Sequence, residues 1–191
     1  MSRMAQTIIK MKNYLLFLVG LLALASCDPN LPFQPQPQYE FDKFLAEDRL
    51  KIDAFLDTAR IDSISRIHDP SGIVIIVQEE GAGSRPVSSS VIYSDYTGYL
   101  ISDGSVFDTS IEQVARENDI FDENRKYVPF SFVLGSTSVI AGWDIVLRRM
   151  RPGSKFVMII PSPYAYRSQE NNPRIPPNSV LAFEVDFLGT D

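Results

Sequence analysis

The feature that most constrains this chain is a change of hydrophobic period near residue 71. Before it, residues 39–60 carry Phe41, Phe44, Leu45, Ile52, Phe55, Leu56 and Ala59 at helical spacing among Asp, Glu, Lys and Arg, which predicts an amphipathic helix. After it, residues 73–78 read IVIIVQ, a β-branched run closed by the turn cluster Glu79-Glu80-Gly81-Ala82-Gly83. Further strands are expected over residues 90–101, 130–134, 155–161 and 180–188, with one convincing helix among them at 138–148. Several strands, short Gly-rich turns and a single helix predict an α+β domain with a mainly antiparallel sheet. The apolar face of the 39–60 helix must bury against the downstream domain, a second copy of the helix in a homodimer, or a client. His68, just before Pro70, reads as a solvated residue in the connector.

The first residues have a different character. Arg3, Lys10 and Lys12 precede an uncharged, mostly apolar run over residues 14–25, the n-region and h-region of a secretory signal. A helix of that length rises about 18 Å, well short of a hydrocarbon core of roughly 30 Å. The run ends in Leu24-Ala25-Ser26-Cys27, small residues before the only cysteine, which resembles the lipobox of bacterial lipoproteins. That resemblance implies a signal peptide over residues 1–26, a lipid on Cys27 and stable membrane anchoring through two or three acyl chains. A chance cysteine after an ordinary signal is the alternative. The expected location is the bacterial envelope, at the outer membrane; Asp28, in the enterobacterial rule, would instead favour the inner one. Residues 28–38 read DPNLPFQPQPQ, a polyproline-type spacer.

Bulk properties exclude several classes. With 191 residues, one domain plus N-terminal apparatus is expected. A formal charge of −6 without a basic patch argues against nucleic acid. One cysteine and one histidine can make neither an internal disulfide nor a His-rich metal site. No metal or cofactor is expected.

Beyond residue 71, five blocks stand in order. Tyr96-Thr97-Gly98-Tyr99, with Asp103-Gly104, leads to Val106-Phe107-Asp108-Thr109-Ser110. Pro129-Phe130-Ser131-Phe132-Val133-Leu134-Gly135 follows, then Val139-Ile140-Ala141-Gly142-Trp143. Pro163-Tyr164-Ala165-Tyr166 precedes Ile175-Pro176-Pro177-Asn178 and Leu181-Ala182-Phe183-Glu184-Val185. Together these resemble the FKBP-type peptidyl-prolyl cis-trans isomerases over residues 71–188. The resemblance implies a curved five- or six-stranded antiparallel sheet wrapped around one short helix, an isomerase domain over 71–191, and the 39–70 helix and connector before it. It implies a pocket lined by Phe107, Phe130, Val139, Trp143, Ile175 and Phe183, with Tyr96, Asp108, Ile140 and Tyr166 in catalytic roles. Proline-containing polypeptides would be the clients, and macrolide inhibitors could occupy the same groove.

Such chemistry suits these residue types. Rotation about an X-Pro bond loses amide resonance, against a barrier of roughly 18–20 kcal/mol, and no covalent bond breaks. Rigid aromatic walls can hold the proline ring and desolvate the amide. A few oriented polar groups then stabilise the twisted state: by resemblance the Ile140 N–H and the Tyr166 hydroxyl, with Asp108 polarising the edge. Three departures from the family pattern stand out. Residues 111–129 lengthen one connection, with a short helix expected over 111–118, and form either a neutral surface insertion or a rim that restricts substrates. Asn171 stands where many members have histidine, in a 167–174 loop without glycine. Val87-Ser88-Ser89-Ser90 replaces a Gly-Asp turn. A non-catalytic client-binding module and a purely structural lipoprotein are the competing functions; the complete pocket set argues against both.

Overall fold

Alternation along two strands explains how the layers form. In β2 (Val74–Glu79) and β6 (Lys155–Ile160), residues 74–77 and 156–160 are apolar and buried at odd and even positions alike. Ile75, Val77, Phe156, Met158 and Ile160 enter one core, while Val74, Ile76, Val157 and Ile159 enter another on the opposite face. A strand covered on both faces reads as a continuous apolar run, as IVIIVQ does. The computed structural model describes residues 39–170 and 172–191, so the leader, Cys27, the tether and Asn171 lie outside the described residues.

The chain runs α1 (Phe41–Thr58), β1 (Ser65–His68), β2, β3 (Val91–Leu100), β4 (Val106–Thr109), α2 (Glu112–Glu117), β5 (Phe130–Val133), α3 (Ala141–Leu147), β6, a 3-10 turn (Ser162–Tyr164) and β7 (Leu181–Thr190). Among the described residues, seven antiparallel strands form one sheet in the order β1-β2-β6-β7-β3-β4, with β5 also paired to β3. The α+β class and the sheet around a short helix match expectation; the strand count exceeds five or six. His68 is a correction: it is an exposed residue of β1, paired with Val74, and not part of a connector. Ser65-Arg66-Ile67-His68 has one apolar residue, too little alternation to signal an edge strand.

Helix α1 lies on its own domain. Ile52 is buried against Val74, Ile76, Val157, Ile159, Val180 and Ala182, with Phe55 and Leu56 beside it. Of the three partners open to this apolar face, its own domain is the one that covers Ile52. Helix α3 covers the other face through Trp143, Val146 and Leu147. It starts at Ala141, later than the expected 138, because Ile140 is extended and serves as N-cap. Gly142 permits the close approach: a Cβ there would lie 2.6 Å from Ile160.

Strand β3 is the spine of the site. One edge pairs with β7 from Ile92 to Leu100. The other is shared, with β5 on Val91 to Ser94 and β4 on Thr97 to Tyr99. The motif hydroxyls fill the gap between them. Tyr96 N–H donates to Ser110 Oγ at 3.0 Å, Ser110 N–H donates to the Tyr96 carbonyl at 3.0 Å, and Thr109 Oγ1 donates to that carbonyl at 2.8 Å. Buried backbone groups are thereby satisfied where strand pairing lapses.

Candidate active site

Between α3 and the sheet lies a cavity of about 530 Å³. Its wall includes nine of the ten residues expected there: Tyr96, Phe107, Asp108, Phe130, Val139, Ile140, Trp143, Tyr166 and Phe183. Ile175 is the exception. It is 4% exposed in the same core cluster as Trp143 and Phe183 and does not line the cavity; a motif block locates a residue in the chain but not on a surface.

Trp143, 3% exposed, is boxed by four rings. Tyr96, Phe130, Phe132 and Phe183 stand nearly perpendicular to it, with centroids 5.5, 5.6, 5.9 and 5.4 Å away. Edge-to-face contacts of this kind are favourable and orient the rings rigidly. Gly98 makes room for the box: a Cβ there would lie 2.6 Å from Phe107 and 2.9 Å from Phe183. The register shifts between Gly98 and Tyr99, skipping Phe107. That bulge lets the adjacent Phe107 and Asp108 both reach the cavity, although neighbours in a regular strand point to opposite faces.

Asp108 is the polar node of the rim. Oδ2 accepts the Tyr96 hydroxyl, and Oδ1 accepts the Arg125 guanidinium and the Thr109 N–H. Burial, then the Asp108 hydrogen bond and charge, push the Tyr96 phenol well above its ordinary value, against the pull of Arg125. Burial and then the Asp108 charge also raise Tyr166. Both phenols are neutral at physiological pH, so Tyr166 offers the cavity a hydroxyl rather than a phenolate. Ile140 contributes differently: at the start of α3, backbone N–H groups have no acceptor within the helix.

Arg125 escaped the sequence reading because it sits in the 111–129 insertion; the only available signal was a cation shortly before the Pro129-Phe130 block. The insertion packs on itself. Arg116 lies 3.5 Å from the Phe121 ring centroid, Phe121 stacks on Tyr127 at 5.6 Å, and Arg125 lies 5.3 Å from the Tyr127 ring. Among the described residues, none of this segment lines the cavity; it reaches the site through Arg125 and Asp108. The expected short helix is α2. Thr137, Ser138, Ala141, Pro163, Ala165, Arg167 and Gln169 complete the wall. The Val87 to Ser90 turn lies elsewhere, with Ser89 in the left-handed region at φ 73°.

Known proteins share both the sequence and this fold. The family model described as FKBP-type peptidyl-prolyl cis-trans isomerase matches residues 83–188. The chain is 34% identical over 124 residues to Peptidyl-prolyl cis-trans isomerase FKBP4 of Homo sapiens, which covers 63% of this chain and 24% of that protein. It is 31% identical over 119 residues to FK506-binding protein 4 of Rhizopus delemar, 62% of this chain and 27% of that one. The chain thus spans about a quarter of the length of these curated relatives. Among solved structures, FkpA from Escherichia coli superposes with a TM-score of 0.57 at 29% identity, covering 81% of this chain and 64% of that one. A peptidyl-prolyl cis-trans isomerase from Pseudomonas syringae gives 0.58 at 25% identity, covering 78% and 95%. A matched segment that includes the rings boxing Trp143 and the Asp108 node makes this chain a member of the FKBP-type peptidyl-prolyl cis-trans isomerase family.

Proposed function

We propose that this chain isomerises X-Pro bonds of proteins outside the cytoplasm while anchored by lipid at Cys27 to a bacterial envelope membrane, the outer one. The observation that carries the catalytic reading is Trp143 in its ring box, sharing one cavity with Ile140 and Tyr166. The proline ring rests on Trp143, and the flanking amide leaves water for an apolar wall. Desolvation removes hydration that favours the planar, charge-separated amide. The Ile140 N–H and the neutral Tyr166 hydroxyl donate to substrate carbonyls as the bond twists. Asp108, paired with Arg125, holds Tyr96 and so fixes one wall.

Lipid anchoring rests on the apolar run ending in Leu24-Ala25-Ser26-Cys27. Among the described residues, no helix is long and apolar enough to cross a membrane. A relative named for FK506 binding supports macrolide occupancy of the same cavity. Trp143 is the only tryptophan, so its fluorescence reports on that cavity directly. Titration with FK506 should quench or shift the emission and, in parallel, inhibit cis-trans exchange of a short X-Pro peptide. Exchange unaffected by the chain at catalytic concentrations contradicts the isomerase. Mass spectrometry of the mature N-terminus tests the anchor: acylated Cys27 supports it, and cleavage elsewhere contradicts it.

A further inference from the structure

One loop supplies five lining residues of the cavity, Pro163, Ala165, Tyr166, Arg167 and Gln169, and it lies between strands rather than within the sheet. Ser162 is its hub. The Ser162 carbonyl accepts the N–H groups of Ala165 at 3.0 Å and Arg167 at 3.1 Å, closing the turn that carries Tyr166. The Ser162 N–H, fully buried, donates to Asp48 Oδ2 at 2.8 Å. Asp48 belongs to α1, 114 residues earlier in the chain.

Asp48 is 0% exposed on a helix whose buried face is otherwise apolar. A carboxylate in such a place is unfavourable unless fully partnered, and an aliphatic side chain would pack there without that requirement. Its second oxygen accepts Lys51 Nζ at 2.7 Å, so the charge is countered within α1. Three further contacts join the same two segments. The Tyr39 hydroxyl lies 3.3 Å from Ser162 Oγ, Phe41 meets Tyr164 edge-on at 5.3 Å, and the Arg167 guanidinium lies 5.6 Å from the Tyr39 ring centroid. Arg167 itself has φ 57°, a left-handed conformation that a non-glycine residue keeps only where its surroundings hold it.

We infer that Asp48 is a positioning residue of the active site: acting through Ser162, it fixes the loop that places the Tyr166 hydroxyl, so that α1 is part of the isomerase. This rests on the proposed isomerase reading and extends the working site beyond residues 83–188, the segment matched by the family.

The test uses the full chain with Asp48→Ala and Asp48→Asn, the latter keeping a carbonyl oxygen for the Ser162 N–H. Turnover and KM on a short X-Pro peptide are measured alongside thermal melting and the ¹H–¹⁵N signals of Ser162, Tyr166 and Arg167. Folded Asp48→Ala should lose about fivefold or more in kcat, the scale of one displaced hydrogen bond. KM should stay within about twofold, because the Trp143 box is untouched. All three amide signals should move, and Asp48→Asn should restore most of the turnover. Unchanged kcat and unchanged Tyr166 signals in folded Asp48→Ala overturn the inference. If Asp48→Ala does not fold, Tyr39→Phe decides: a smaller kcat loss with displaced Ser162 and Tyr166 signals upholds the inference, and neither change overturns it. If the wild-type chain shows no isomerase activity, the isomerase reading fails, and the amide signals alone judge whether Asp48 sets the loop.

Discussion

The two faces of the sheet are built from different side chains: among the described residues the α3 face holds an aromatic cavity of about 530 Å³, while the α1 face is mostly filled and has a smaller hollow of about 250 Å³ beside Arg49, Ile52, Asp53 and Val74. Against α1, the sheet presents Val74, Ile76, Val157, Ile159, Val180 and Ala182, and Ile52 closes on them. Against α3, it presents Tyr96, Phe107, Phe130 and Phe183 around Trp143, and about 530 Å³ stays open. Small branched side chains interdigitate and fill space. Large flat rings locked perpendicular to one another, beside a helix of only seven residues, cannot collapse inward. The Ile52 patch of the α1 face therefore supplies stability, while Asp48 on the same helix reaches the site through Ser162, and the α3 face supplies a preformed site whose rings are held before any substrate arrives.

Substitutions on each face can break that contrast. Ile52→Ala, on the filled face, should destabilise the chain by about 2–4 kcal/mol in denaturant unfolding, with kcat/KM per folded molecule within about twofold of wild type; a parallel collapse of activity would remove the distinction. Gly98→Ala, on the open face, drives a methyl into Phe107 and Phe183. It should destabilise by about 1–3 kcal/mol and, unlike Ile52→Ala, reduce kcat/KM of the folded fraction, since two cavity walls must shift.

Tyr166→Phe sharpens the contrast further by removing one hydroxyl and almost no volume. Loss of one donor at about 0.5–1.5 kcal/mol corresponds to a roughly 2- to 10-fold fall in kcat/KM, with the melting temperature nearly unchanged. The smallest effect is alkaline. Folded Tyr96 and Tyr166 both titrate above the ordinary phenol value of about 10, so the unfolded chain loses those protons first. The stability they contribute is present below pH about 10 and declines as pH rises toward their folded values. Unfolding free energies measured from pH 8 to 11 should fall more steeply for wild type than for Tyr166→Phe.

Most of the open face was legible in the sequence, because its residues lie in short blocks whose order matches a family. The limits have physical causes. Ile175 sits in a matching block yet does not line the cavity, since block order does not say which surface a residue reaches. Arg125 lies in the lengthened 111–129 connection, outside the matching blocks, and only the fold brings it to Asp108. Ser65 to His68 has a single apolar side chain, Ile67, to announce it. Asp48 looked like one of many charges on an amphipathic helix; its burial depends on Ser162, far away in sequence. The filled face was legible as continuous apolar runs, while its partner was not: helical spacing required the α1 stripe to be covered without saying by what.

The most direct test of the account is cis-trans exchange of a short X-Pro peptide, followed by NMR with catalytic amounts of the full chain and of Trp143→Leu. The account predicts clear acceleration by the wild-type chain and a loss of about tenfold or more in kcat/KM for a folded Trp143→Leu, about 1.4 kcal/mol of transition-state stabilisation. Equal acceleration by both chains, or none by a well-folded wild type, would contradict it.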